Sequence, residues 1–86
     1  VQLLWDEAAW EEYLWRQSQD RKVLKRINRL LEDIQRNGNE GIGKLEALKH
    51  DFGGFWSRLI TDEHRLVCKV LEDRVLIAQC RYHYGR

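Results

Sequence analysis

Proline and methionine are absent from these 86 residues, and cysteine occurs only twice. Without proline no turn has a pre-set φ, so nothing rigid is expected in the polar loop from Asn37 to Gly43. Cys68 and Cys80 lie in apolar, strand-like runs with no paired spacing. That argues against a disulfide framework and for buried thiols in a reduced, cytoplasmic setting. No C-x-x-C or H-x-x-x-H spacing occurs, so neither a metal centre nor a cofactor is expected. Gly41-Ile42-Gly43-Lys44 lacks the spacing of a P-loop and the Ser or Thr that should follow it. No apolar run approaches the roughly 20 residues that span a bilayer, so no membrane partner is expected. Asp6, Glu7, Glu11 and Glu12 interrupt the segment where a signal peptide would be apolar.

Charge of one sign is also lacking. The net charge is +1, which excludes a polycation that coats nucleic acid through a global field. Residues 1–40 carry seven basic and eight acidic side chains, and residues 41–86 carry eight and six. Any contact with RNA must therefore be made through local patches.

What is present suits a single globular domain spanning 1–86, with 43% hydrophobic and 34% charged residues. Val1 to Trp5 reads as a strand, and Asp6 as the N-cap of a helix with Glu7, Glu11 and Glu12 near its start. Trp10, Tyr13 and Leu14 share one face of that helix. Ser18-Gln19-Asp20 is a break with a second N-cap. Val23, Ile27, Leu30, Leu31 and Ile34 then give a second helix, which ends near Asn37-Gly38. Lys44 to His50 reads equally as an extended connection or a short strand. Phe55–Ile60, His64–Leu71 and Val75–Tyr82 read as strands separated by polar turns. The order β-α-α-β-β-β predicts an α+β fold, a two-helix hairpin on one face of a mostly antiparallel four-stranded sheet. Alternation turns Leu66, Cys68 and Val70 toward the helices. Arg65, Lys69, Gln79, Arg81 and His83 then fall on the open face.

Glu46, His50, His64 and His83 are the acid–base candidates. Lys44, Lys49, Arg58, Arg65 and Arg81 are candidate phosphate ligands, and Phe55, Trp56, Tyr82 and Tyr84 can stack on a base. Cleavage of RNA by its own 2′-hydroxyl needs a base, an acid and cations around phosphorus, and all three types are here. So they are in most domains of this size. Lys22, Lys25, Arg26 and Arg29 form a basic helical stripe, which is most often just a solvated face.

The ordered blocks are more specific. Leu3-x-Trp5, Trp10-x-x-Tyr13, Gly41-x-Gly43-Lys44-x-Glu46-x-Leu48-Lys49-His50, Gly54-Phe55-Trp56-Ser57-Arg58, Glu63-His64-Arg65-Leu66-Val67 and Cys80-Arg81-Tyr82-His83-Tyr84 occur in sequence. Together they resemble the YoeB (Txe/YoeB) toxins of bacterial toxin–antitoxin systems, within the RelE superfamily. The resemblance implies a microbial-ribonuclease-like fold and an endoribonuclease that cuts mRNA in the ribosomal A site, leaving 2′,3′-cyclic phosphate and 5′-hydroxyl ends. It implies Glu46 as general base, Arg65 as the cation on the scissile phosphate, His83 as general acid and Tyr84 as the residue positioning substrate. Lys49, Arg58, Arg81 and Phe55 would bind substrate, and Lys22, Lys25, Arg26 and Arg29 ribosomal RNA. The implied partners are a YefM-like antitoxin, the 70S ribosome, mRNA and a second copy of the chain.

The chain departs from the family at Leu45 and Ala47, where relatives often carry proline, and at Leu59, where a second arginine is common. Gly85-Arg86 runs past the family's usual end. These departures leave room for a non-catalytic RNA-binding or operon-regulating module, and for a domain that dimerises through its tryptophan face.

Overall fold

Asp6 turns the chain from its first strand into its first helix. In the computed structural model, which describes residues 1–81, its carboxylate accepts from the Ala8 amide at 3.1 Å. Strand β1 (Gln2–Trp5) precedes it and helix α1 (Glu7–Gln19) follows. Asp20 ends α1 and caps α2 (Arg21–Asn37), accepting from the amides of Lys22 and Val23. One residue thus makes the corner of the hairpin. Gly38, at φ +61°, ends α2, as the sequence predicts. Tyr13 Oη donates to Asn28 Oδ1 at 2.6 Å and ties the two helices together.

The rest is sheet: β2 (Glu46–Ala47), a 3-10 turn (His50–Phe52), β3 (Trp56–Leu59), β4 (Arg65–Val70) and β5 (Arg74–Gln79). The order across the sheet is β1-β5-β4-β3-β2. Among the described residues there are five strands, not four, because the ambiguous Lys44–His50 stretch supplies a two-residue strand antiparallel to β3. Two residues are too few for an alternation signal in the sequence. The sheet is mixed, since β1 runs parallel to β5. The α+β class, with the helices on one sheet face, is as expected.

Ala9, Ile27, Leu30, Ile34, Leu66, Cys68, Val75, Ile77 and Cys80 form the core between helices and sheet. The face expected from Trp10, Tyr13 and Leu14 is only partly used. Trp10 and Leu14 stay 44% and 43% exposed, and Ala9 and Arg16 are buried in their place. The small Ala9 lets α1 approach β5, where Cys80 Sγ meets the Ala9 carbonyl at 3.5 Å. Trp10 packs instead on Trp5 and Tyr13, with centroids 5.5 and 5.9 Å away.

One irregularity sets the last strand. Val67 pairs with Gln79 while Cys68 pairs with Ile77, so Ala78 is an extra residue on β5. This bulge lets Val75, Ile77 and Cys80 all reach the core, although 77 and 80 differ in parity. It also puts Gln79 on the open face with Val67.

Candidate active site

The open face is built from cross-strand neighbours. Glu46 pairs with Ser57, Ser57 with Val67, and Val67 with Gln79. Paired residues of antiparallel strands point to the same side, so these four make one row across the sheet. Arg65 lies two residues from Val67 on that face and reaches across to β3. Its Nε donates to Ser57 Oγ at 2.9 Å and its Nη2 to the Lys44 carbonyl at 3.2 Å. Glu46 and Arg65, the expected base and cation, are thus separated by one buried serine.

Lys49 is exposed and shares with Glu46 a depression of about 390 Å³, lined also by Ala47, Leu48 and His50. Phe55 edges a second, apolar hollow of about 300 Å³ with Leu4, Leu76 and Ala78. The Lys69 ammonium sits 5.7 Å from the Phe55 ring centroid. The open face therefore offers an ionic zone beside an apolar one, which suits a ligand with phosphates and bases. Among the described residues no three His, Cys, Asp or Glu side chains come together as a metal site would need.

Two expected substrate ligands are elsewhere. Arg58 has 1% of its surface exposed and points under the sheet. Its Nη1 donates to Asp33 Oδ2 at 2.5 Å and to the Ile42 carbonyl at 2.9 Å. Its Nη2 donates to the carbonyls of Gly38 and Glu40 at 2.6 and 2.8 Å. Asp33 also accepts from the Ile42 amide and from Asn37 Nδ2. Arg58 is therefore a structural cation, not a substrate ligand, because these acceptors compensate its burial. The same set pins residues 38–42, so the loop expected to lack rigidity is held by an ion pair in place of proline.

Arg81, expected on the open face, lies instead against α1, its guanidinium carbon 3.8 Å from the Trp15 ring centroid. The indole face attracts the cation away from the Glu46–Arg65 row. Nearby, Glu12 accepts from the Cys80 amide at 2.9 Å, and burial raises its carboxyl above the ordinary value. Burial and the Arg81 charge lower the buried Arg16 guanidinium. Of the basic stripe, Lys22, Lys25 and Arg29 are exposed, while Arg26 is half-buried and donates to the Leu59 carbonyl. Tyr82, His83 and Tyr84 lie outside the described residues. Sequence reasoning passes over Ser57 and Asp33. Only the register of β2, β3 and β4 makes the first a neighbour of both Glu46 and Arg65.

Comparison with known proteins gives the class. A family model described as "YoeB-like toxin of bacterial type II toxin-antitoxin system" matches residues 5–84. Toxin YoeB of Escherichia coli (strain K12) is 52% identical over 84 residues, 98% of this chain and all of that protein. The solved YoeB/ParE toxin from Agrobacterium tumefaciens superposes with a TM-score of 0.93 at 40% identity, covering 98% of this chain and 100% of that one. Staphylococcus aureus YoeB, solved as a dimer and as a heterotetrameric YoeB–YefM complex, superposes at 0.91 and 0.90 with 46% identity over 98% of both chains. The class is that of small toxins from bacterial type II toxin–antitoxin systems. Within it, this chain belongs to the YoeB family, and the activity of that family is endoribonucleolytic.

Proposed function

We propose that the chain cleaves mRNA in the ribosomal A site by in-line attack of a ribose 2′-hydroxyl on the adjacent phosphate. The observation that carries this reading is the open-face row in which Ser57 stands between Glu46 and Arg65. Glu46 takes the 2′-hydroxyl proton. Arg65 and Lys49 oppose the charge that builds on the phosphate oxygens, and Phe55 stacks on a base. His83, by its place in the family pattern, protonates the leaving 5′-oxygen, and Tyr84 aligns the substrate. The products are a 2′,3′-cyclic phosphate and a 5′-hydroxyl. Lys22, Lys25 and Arg29 give an exposed basic face for ribosomal RNA. A YefM-like antitoxin neutralises the toxin in the cytoplasm, and two copies associate, as in the S. aureus relatives.

The test is incubation of the chain, and of its His83→Ala variant, with programmed 70S ribosomes, followed by mapping of mRNA ends. Cyclic-phosphate ends from the parent, and a rate lower by roughly two to four decades in the variant, are expected. Intact mRNA with the parent bound to the ribosome would instead make the chain a non-catalytic RNA-binding module.

A further inference from the structure

Arg65 is gripped along one edge of its guanidinium. Nε donates to Ser57 Oγ at 2.9 Å, and Nη2, on the same edge, donates to the Lys44 carbonyl at 3.2 Å. Among the described residues this leaves both Nη1 hydrogens and one on Nη2. The Nη2 hydrogen and one of the Nη1 pair form the end-on edge, which matches two phosphate oxygens. Neither acceptor is incidental. Ser57 is fully buried although it stands on the open face. Lys44 has φ +46°, a conformation rare for a side-chain-bearing residue, and it follows Gly43 at φ +102°. The Gly43 carbonyl accepts from the Leu59 amide at 2.6 Å, which fixes this turn against β3. A strained turn and a buried hydroxyl thus meet on one edge of one arginine.

We infer that Ser57, with the Lys44 carbonyl, is a positioning residue that holds Arg65 with its end-on edge toward the scissile phosphate; this rests on the nuclease reading above. A flexible arginine would lose rotamer freedom on meeting the phosphate, and a pre-oriented one does not. Ser57 itself does not touch substrate. It acts through Arg65 and sets the rate, not ribosome affinity.

The experiment compares Ser57→Thr with Ser57→Val, which have nearly the same shape and differ in the hydroxyl, alongside Ser57→Ala. Cleavage of ribosome-bound mRNA is measured with each, in the parent and in an Arg65→Lys background. Losing a hydrogen bond to a charged group predicts a kcat lower by about tenfold or more in Ser57→Val and Ser57→Ala, with KM unchanged. Ser57→Thr restores the rate, and no further loss follows in the Arg65→Lys background. A second readout needs no catalysis. The Arg65 Nε–H resonance should exchange slowly with water in the parent and Ser57→Thr, and at least about tenfold faster in Ser57→Val. An equal loss in both backgrounds, or an Nε–H exchange rate indifferent to the hydroxyl, overturns the inference. If the parent cuts no mRNA, the nuclease reading fails, while the exchange measurement still decides whether Ser57 orders Arg65.

Discussion

Asp33 on α2 and Arg58 on β3 meet beneath the sheet, carboxylate to guanidinium, at 2.5 Å. The pair joins the helical layer to the strand beside Glu46 and anchors the loop that leads into β2. Removing Asp33 leaves Arg58 buried with, among the described residues, only the carbonyls of Gly38, Glu40 and Ile42 to accept from it. Asp33→Ala should therefore cost about 3–5 kcal/mol, read as a lower urea midpoint with an unchanged m-value.

The same pair predicts an acid response. Hydrogen bonding to Arg58 is the chief cause holding the Asp33 carboxyl below its ordinary value of 3.8. A depressed folded value means the stabilisation is complete above 3.8 and is lost as pH falls through the lower folded value. Melting temperature followed downward from about pH 5 should fall more steeply in the parent than in Asp33→Asn. Parallel curves would mean that Asp33 does not titrate with folding.

Gly43 carries a second structural prediction. Its φ is +102°, and an added Cβ would lie 2.9 Å from Leu30 Cδ2 and 3.1 Å from Arg58 Cβ. Gly43→Ala suffers both backbone strain and a clash with the core, with an expected loss of about 1–3 kcal/mol by thermal melt. Because Lys44 follows directly, cleavage should fall as well.

Burial raises the thiols, Cys68 to about 11 and Cys80 to about 12. Both should resist a thiol reagent at pH 8 in the folded chain and react fully in denaturant. The sign of the linkage is opposite to that of Asp33. Above 9, the ordinary thiol value, the unfolded chain releases protons that the folded one keeps. Stability present below 9 should decline as pH rises toward 11–12, and Cys68→Ala,Cys80→Ala should flatten that decline.

Two sets of variants separate chemistry from docking. Glu46→Gln should lower the cleavage rate by about 10²–10⁴ while ribosome co-sedimentation is unchanged. Lys25→Glu,Arg29→Glu should weaken co-sedimentation and reduce its salt dependence, with cleavage of captured complexes unaltered. Equal effects of both sets on both readouts would refute the division.

Local signals made much of the fold legible. Asp6, Asp20 and Gly38 mark helix ends because capping needs only neighbouring residues. Leu66, Cys68 and Val70 face the helices as alternation requires. Arg58 was illegible because Phe55, Trp56, Leu59 and Ile60 put apolar side chains at both parities of one short strand. Its face could not be read from period. Arg81 was misread because a cation–π contact with Trp15, 66 positions earlier, leaves no pattern along the chain.

The sequence alone determined the helices and their caps, the apolar alternation of the long strands, the buried cysteines and the family. Each of these depends on local chemistry or on ordered motifs. Tertiary structure decided which arginine meets solvent on the open face, which one locks the loop before Glu46, and which serine stands between Glu46 and Arg65. Those outcomes follow from cross-strand register and from the acceptors that happen to surround a buried charge. Such acceptors are brought together only when α2, the loop and β3 pack against each other.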